Sequence, residues 1–165
     1  MDTKDTSKTT TLAETLRAGQ PAATYTTGCS MEPLLYERKT YVILQPVTGD
    51  LKPGDLPIYQ RPDGVYIIHR LIRQGEGWCY TRGDNCLHGE KIPHHWILGV
   101  VTQIQRNGKI IRVTDRGYRC YVRVWSLLWP LRKLWYLLRV RLHRLPGRKY
   151  LKAVRDKLRA LGRSR

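Results

Sequence analysis

The sequence predicts a mainly β protein: a compact, mostly antiparallel β domain followed by a basic, amphipathic α-helical C-terminal tail. Three observations carry this. Short runs rich in β-branched and aromatic residues follow one another from Tyr41 to Thr114, separated by turn signals. Asn107-Gly108 lies between two such runs, and both central positions of a two-residue hairpin turn favour residues that tolerate positive φ. The charge is also divided: of a net +17 over 165 residues, residues 116–165 hold sixteen Lys or Arg against the single acid Asp156, about +15, which leaves about +2 for everything before. A chain of this length suits one domain with an appendage and is long enough to bury a real core.

Taken in order, residues 1–10 are rich in Thr and mixed charge and read as disordered, and Thr11–Arg17 reads as a short amphipathic helix, ending near Gly19, that packs on the domain. Residues 1–20 hold no apolar run long enough for a signal peptide or a membrane span. The expected organisation is therefore 1–20, 21–115 and 116–165. Strands are expected at Tyr41–Leu44, Leu56–Tyr59, Val65–Ile72, Trp78–Thr81, Ile97–Gln105 and Lys109–Thr114, with turns at Pro53-Gly54-Asp55, Pro62-Asp63-Gly64 and Gly75-Glu76-Gly77. In the tail, Trp125, Leu128, Trp129, Trp135, Leu138 and Leu142 share one helical face and Arg132, Lys133, Arg139 and Arg141 crowd the other, with Pro130 expected to kink or restart the helix. A second basic helix is expected to carry Leu151, Val154, Leu158 and Leu161 and to stop near Gly162.

The tail has no run of eighteen uncharged apolar residues, so it is not expected to span a bilayer. A helix with Trp and Leu on one side and cations on the other is built to lie in a membrane interface, where anionic lipid contributes about 1 kcal/mol per basic residue. The alternative is that the apolar face packs on the domain or on a partner protein. Four cysteines, Cys29, Cys79, Cys86 and Cys120, show no disulfide-framework spacing, which points to a reducing compartment. Together with the basic tail this places the expected location in the cytoplasm, peripheral on the inner membrane face where the tail meets lipid.

Ser30 lies in Thr27-Gly28-Cys29-Ser30-Met31-Glu32-Pro33, a stretch that reads as a stiff, irregular turn, where a nucleophile has to be exposed. A serine hydroxyl is a poor nucleophile until a base takes its proton, and His69, in Val65–Ile72, is the best partner. Neutral imidazole is available at pH 7, whereas a lysine base would have to be desolvated. Ser30-Met31-Glu32-Pro33, Lys52-Pro53-Gly54-Asp55, Ile68-His69-Arg70, Arg82-Gly83-Asp84-Asn85 and Ile97-Leu98-Gly99-Val100-Val101 occur in that order. In these five boxes the chain resembles the signal peptidase I and LexA-type serine peptidases over roughly residues 24–114. With His69 at the base position it is similar to the Ser/His branch found in endoplasmic-reticulum and archaeal signal peptidases. The resemblance implies a β-rich fold and a serine endopeptidase acting on an extended polypeptide, such as a precursor or leader peptide, with small residues before the cut. Where typical signal peptidases carry an N-terminal transmembrane helix, residues 1–20 show none. Where the family usually has Gly-Asp after the nucleophile, this chain has Arg38-Lys39.

The resemblance also implies an acid that orients His69. By spacing beyond the Gly-Asp-Asn box this is Glu90, with Asp84 the alternative; an Asp in such a turn also commonly caps its own backbone amides. Either would fix the imidazole tautomer and stabilise the imidazolium. The backbone N–H of Ser30 is the natural oxyanion donor. Cys29 is a rival nucleophile that the motif register disfavours. Cys79, Cys86, His88, His94 and His95 match no standard zinc spacing, so no metal or cofactor is expected. A nucleic-acid-binding module is the alternative function, since a net +17 attracts phosphate, but the leucine stripes of the tail form no readout motif. A catalytically silent scaffold of the same fold is a third reading.

Overall fold

A computed structural model describes residues 11–143, with side chains described through residue 138. The first ten residues and the second tail helix lie outside the described residues.

The described chain is mainly β. It begins with α1 (Leu12–Arg17), which opens on a capping box: Thr11 Oγ1 accepts from the Glu14 N–H at 3.3 Å and the Glu14 carboxylate accepts from the Thr11 N–H at 2.8 Å. Ala13 and Leu16 on its inner face are buried in the main core, so this segment is part of the β unit rather than an appendage to it.

Nine strands follow: β1 (Ala22–Tyr25), β2 (Thr40–Gln45), β3 (Pro57–Gln60), β4 (Tyr66–Ile68), β5 (Arg70–Gly75), β6 (Trp78–Arg82), β7 (Glu90–Pro93), β8 (Ile97–Arg106) and β9 (Lys109–Arg112). The larger sheet runs β1-β2-β8-β3-β4, with β9 also paired to β8; the smaller is β5-β6-β7, and all pairings are antiparallel. The β8–β9 turn is the expected hairpin, with Asn107 at φ 50° and Gly108 at φ 73°.

The single strand expected at Val65–Ile72 is two strands in two sheets: β4 pairs with β3, β5 pairs with β6, and His69 is the residue between them. Strands β1 and β7 were not expected. Ala22-Ala23-Thr24-Tyr25 and Glu90-Lys91-Ile92-Pro93 lack a β-branched run and form because neighbouring strands pair with them.

Two apolar clusters fill the interior. The larger joins Val42, Leu44, Ile58, Val101 and Ile104 of the large sheet to Leu16 of α1 and to Met31, Leu34 and Leu35. The smaller gathers Tyr59, Leu71, Cys79 and Ile92. Met31 and Leu35 are 4% and 1% exposed, so the turn carrying Ser30 is tied to the core immediately after that serine. Truncating a buried leucine such as Leu35 to alanine costs about 2–5 kcal/mol, a measure of how firmly the turn is held.

Two helices end the described chain, α2 (Arg116–Leu127) and α3 (Trp129–His143), with Pro130 in the first turn of α3, where a missing N–H is tolerated. The expected boundary at 115/116 does not coincide with the compact units. The first unit extends through Val124: Tyr118 is buried in its core, and Tyr121 and Val122 pack against it. The second unit begins at Trp125. Among the described residues no helix is long and apolar enough to cross a membrane.

Candidate active site

Ser30 sits in an irregular turn between β1 and β2, and its carbonyl oxygen accepts from the Asn85 N–H at 2.8 Å. Gly83 makes that approach feasible: a Cβ there would lie 2.5 Å from the Ser30 carbonyl oxygen, so any side chain would push the two turns apart. Asn85 Nδ2 also donates to the Cys29 carbonyl at 3.2 Å, and the Asp84 N–H points at Met31 Sδ at 3.4 Å. The Arg82-Gly83-Asp84-Asn85 box therefore cradles the serine turn by backbone contact. On the far side of this turn, Arg38 stands where the resemblance leads one to expect glycine. It takes φ 53° and donates its N–H to the Thr26 carbonyl at 2.8 Å, so the turn is kept at a strain of about 1–2 kcal/mol.

His69 comes from the break between β4 and β5. Had Val65–Ile72 been one continuous strand, its neighbours would have locked it into a single ladder; the switch of sheets at this residue frees the ring to face the serine. His69 Nε2 lies 3.2 Å from Ser30 Oγ. Thirty-nine residues apart in sequence, the two groups meet at hydrogen-bonding distance. Cys29, the rival nucleophile, is exposed in the same turn, but His69 Nε2 faces Ser30.

The other ring nitrogen faces a polar group the sequence did not single out. His69 Nδ1 lies 3.2 Å from Tyr59 Oη and 3.5 Å from Glu90 Oε1, and Tyr59 Oη makes a short hydrogen bond to that same carboxylate oxygen. Glu90 Oε2 in turn accepts from Arg61 Nη2 at 2.6 Å and Nε at 3.1 Å. Glu90 opens β7, and its register partner is Thr81 on β6.

The two acids left open by the sequence thus occupy different places. Glu90 is set against the imidazole. Asp84 is buried with Arg70, each side chain 3% exposed: Arg70 Nε donates to Oδ1 at 2.7 Å and Nη2 to Oδ2 at 2.6 Å. Tyr121 Oη donates to Asp84 Oδ2 at 2.9 Å, while Arg70 Nη1 reaches the Gly54 carbonyl at 2.8 Å and Tyr118 Oη at 3.1 Å. This pair ties the start of β5, next to His69, to the turn that cradles Ser30. Removing one partner of such a buried pair costs about 3–5 kcal/mol, because the other charge is left without compensation. Asp84 is thereby placed as the structural anchor of the site, and it acts on His69 as a nearby charge.

Burial lowers the His69 pKa from its ordinary 6.5; the Glu90 charge opposes the shift and Arg61 reinforces it. Burial, and donation to Glu90, raise the Tyr59 phenol, which stays protonated. Arg70 stays charged although burial works against it, because the hydrogen bonds and charge of Asp84 outweigh that burial.

A cleft of about 520 Å³ opens beside these groups, lined by Tyr25, Thr27, Ser30, Met31, Tyr66 and His69 among others. It lies between β1 and β4, the two ends of the large sheet's strand order. Among the described residues no group of three or more His, Cys, Asp or Glu is placed to hold a metal ion.

The sequence matches no known protein-family model and no curated protein.

Ser30, His69 and Glu90, expected from the sequence, come together, and Asp84 adjoins them through Arg70. Tyr59 and Arg61 were missed. Tyr59 reads as one more aromatic in a buried strand, and the only available hint was that a buried tyrosine hydroxyl needs a partner.

Proposed function

We propose that the chain is a serine endopeptidase of the kind it resembles, the signal peptidase I and LexA-type peptidases, acting through Ser30 and His69. The observation that carries the proposal is the 3.2 Å separation of His69 Nε2 from Ser30 Oγ at the wall of a cleft. In the forward step Ser30 Oγ attacks a peptide carbonyl carbon and its proton passes to Nε2. The tetrahedral oxyanion is met by the Ser30 backbone N–H, and collapse releases the amine, which takes the proton back from Nε2. Water then repeats the sequence to free the acyl group. Glu90 stabilises the imidazolium that forms in each half-reaction, and no cofactor enters the scheme.

The cleft suits an extended polypeptide. β1 and β4 each have a partner on one side only in the large sheet, and a strand laid along such an edge gains backbone hydrogen bonds. The lining between them is largely apolar, with Tyr25, Val65, Tyr66 and Ile68 offering hydrocarbon to the substrate side chains. A precursor or leader segment with small apolar residues before the cut fits both the lining and the resemblance.

The second unit adds a location to this chemistry. In α2 and α3, Arg132 lies over the Trp125 ring at 3.9 Å and Lys133 over Trp129 at 5.2 Å, while Leu131, Leu134, Trp135, Tyr136, Leu137 and Leu138 are all exposed. Indole rings capped by cations beside exposed apolar side chains fit an anionic membrane surface, which would hold the peptidase at the inner face of the cell membrane.

The test is Ser30→Ala and His69→Ala, each assayed for processing of polypeptides expressed alongside the chain. Both are expected to abolish cleavage, and processing that persists in Ser30→Ala overturns the proposal.

A further inference from the structure

We infer that Tyr59 is the positioning residue of the site: its hydroxyl, interposed between His69 and Glu90, sets the tautomer in which His69 presents a bare Nε2 to Ser30. The catalytic consequence rests on the peptidase reading, but the hydrogen-bond direction does not.

The direction follows from counting donors. A phenol hydroxyl has one proton to give and two lone pairs to receive with. Tyr59 is fully buried, so its hydrogen-bond partners lie within the protein. Three partners surround Oη: Glu90 Oε1, His69 Nδ1 at 3.2 Å and Thr81 Oγ1 at 3.3 Å. Glu90 is paired through its other oxygen with Arg61, and a carboxylate can only accept, so the one phenolic proton goes to Glu90. Both remaining positions on Oη are then acceptors. His69 Nδ1 must arrive carrying its proton, and Thr81 must donate its own. A neutral imidazole protonated at Nδ1 has its lone pair at Nε2, which is the nitrogen facing Ser30.

The distances agree with this order. The Nδ1 to Glu90 separation of 3.5 Å is long for a direct hydrogen bond, whereas Nδ1 to Tyr59 is within range. Glu90 thus steadies the imidazolium by charge and holds Tyr59 by hydrogen bond, and Tyr59 holds the ring. During attack no proton leaves Tyr59: Ser30 gives its proton to Nε2, Nδ1–H continues to donate to Oη, and Oη–H continues to donate to Glu90.

Tyr59→Phe removes one oxygen and keeps the ring. Long-range proton–nitrogen correlation spectra of the ¹⁵N-labelled full chain, recorded where His69 is neutral, read the tautomer directly. Wild type is expected to show Nδ1 protonated and Nε2 bare; Tyr59→Phe is expected to shift the population toward the Nε2-protonated form. Glu90→Leu, of similar size but with no acceptor for the phenolic proton, is expected to move it the same way and serves where Tyr59→Phe does not fold. A wild-type His69 protonated at Nε2, or a tautomer ratio unmoved by either variant, overturns the inference. Cleavage by Tyr59→Phe is expected to fall about ten-fold or more with KM little changed. A tautomer shift in a chain that cleaves nothing upholds the role of Tyr59 and removes the peptidase reading. Full cleavage with an unmoved tautomer does the reverse.

Discussion

His69 carries the balance on which the chemistry turns. Burial disfavours its charged form and lowers its pKa below the ordinary 6.5, with Glu90 pulling the other way. The neutral base therefore survives to more acidic pH than a free imidazole would. As pH falls, the rate of cleavage should hold through 6.5 and then drop as Nε2 becomes protonated. The acid limb of kcat/KM against pH is expected to have its midpoint below 6.5, and a midpoint above it contradicts the account. The same shift links to stability with a fixed sign. Between the folded pKa and 6.5 the unfolded chain binds more protons than the folded one, so this residue makes stability rise with pH across that window and costs stability as pH falls through it. Ser30 and His69 were singled out in the sequence by the order of the five boxes and the resemblance they carry, because a lone turn serine or strand histidine has no local signal of its own. Glu90 and Asp84 were not separable there, since which acid faces the ring depends on the pairing of β6 with β7 and on the burial of Arg70.

At the scale of elements, the break at His69 matters most. The run from Val65 to Ile72 has the composition of one strand, and composition alone gives no reason to divide it. The division comes from tertiary pairing, β4 to β3 and β5 to β6, which turns the residue between them toward the cleft. Strands β1 and β7 were illegible for the opposite reason: their residues are poor strand formers, recruited by their neighbours. The β8–β9 hairpin was legible because Asn107-Gly108 encodes its own turn. The helix α3 exposes Leu131, Leu134, Trp135 and Leu138 together, and the sequence around them is basic. Co-sedimentation of the full chain with vesicles is expected to show binding to anionic phosphatidylglycerol vesicles, weaker binding to neutral phosphatidylcholine vesicles, and a clear loss with Trp135→Glu. No preference for anionic vesicles, or salt-sensitive binding to DNA in place of vesicles, contradicts the membrane reading and favours a nucleic-acid partner.

Over the whole molecule, the two halves of the site are carried by different parts of the fold. The Ser30 turn is anchored in the large core by Met31 and Leu35, whereas Thr81 and Glu90 belong to the small sheet and Tyr59 packs with its residues. The Arg70–Asp84 pair and the Asn85 contact to Ser30 clamp these parts together, so the geometry of the site depends on the sheets being held in register rather than on any local motif. This also explains why the boxes are separated along the chain yet converge in space. The central claim is that Ser30 is a nucleophile activated by His69, and the most direct measurement is covalent capture that needs no knowledge of the substrate. The folded chain is exposed to a fluorophosphonate and the modified residue is located by mass spectrometry. The account predicts one phosphonyl adduct, on Ser30, that disappears in His69→Ala. An unmodified Ser30, or modification that persists without His69, would contradict it.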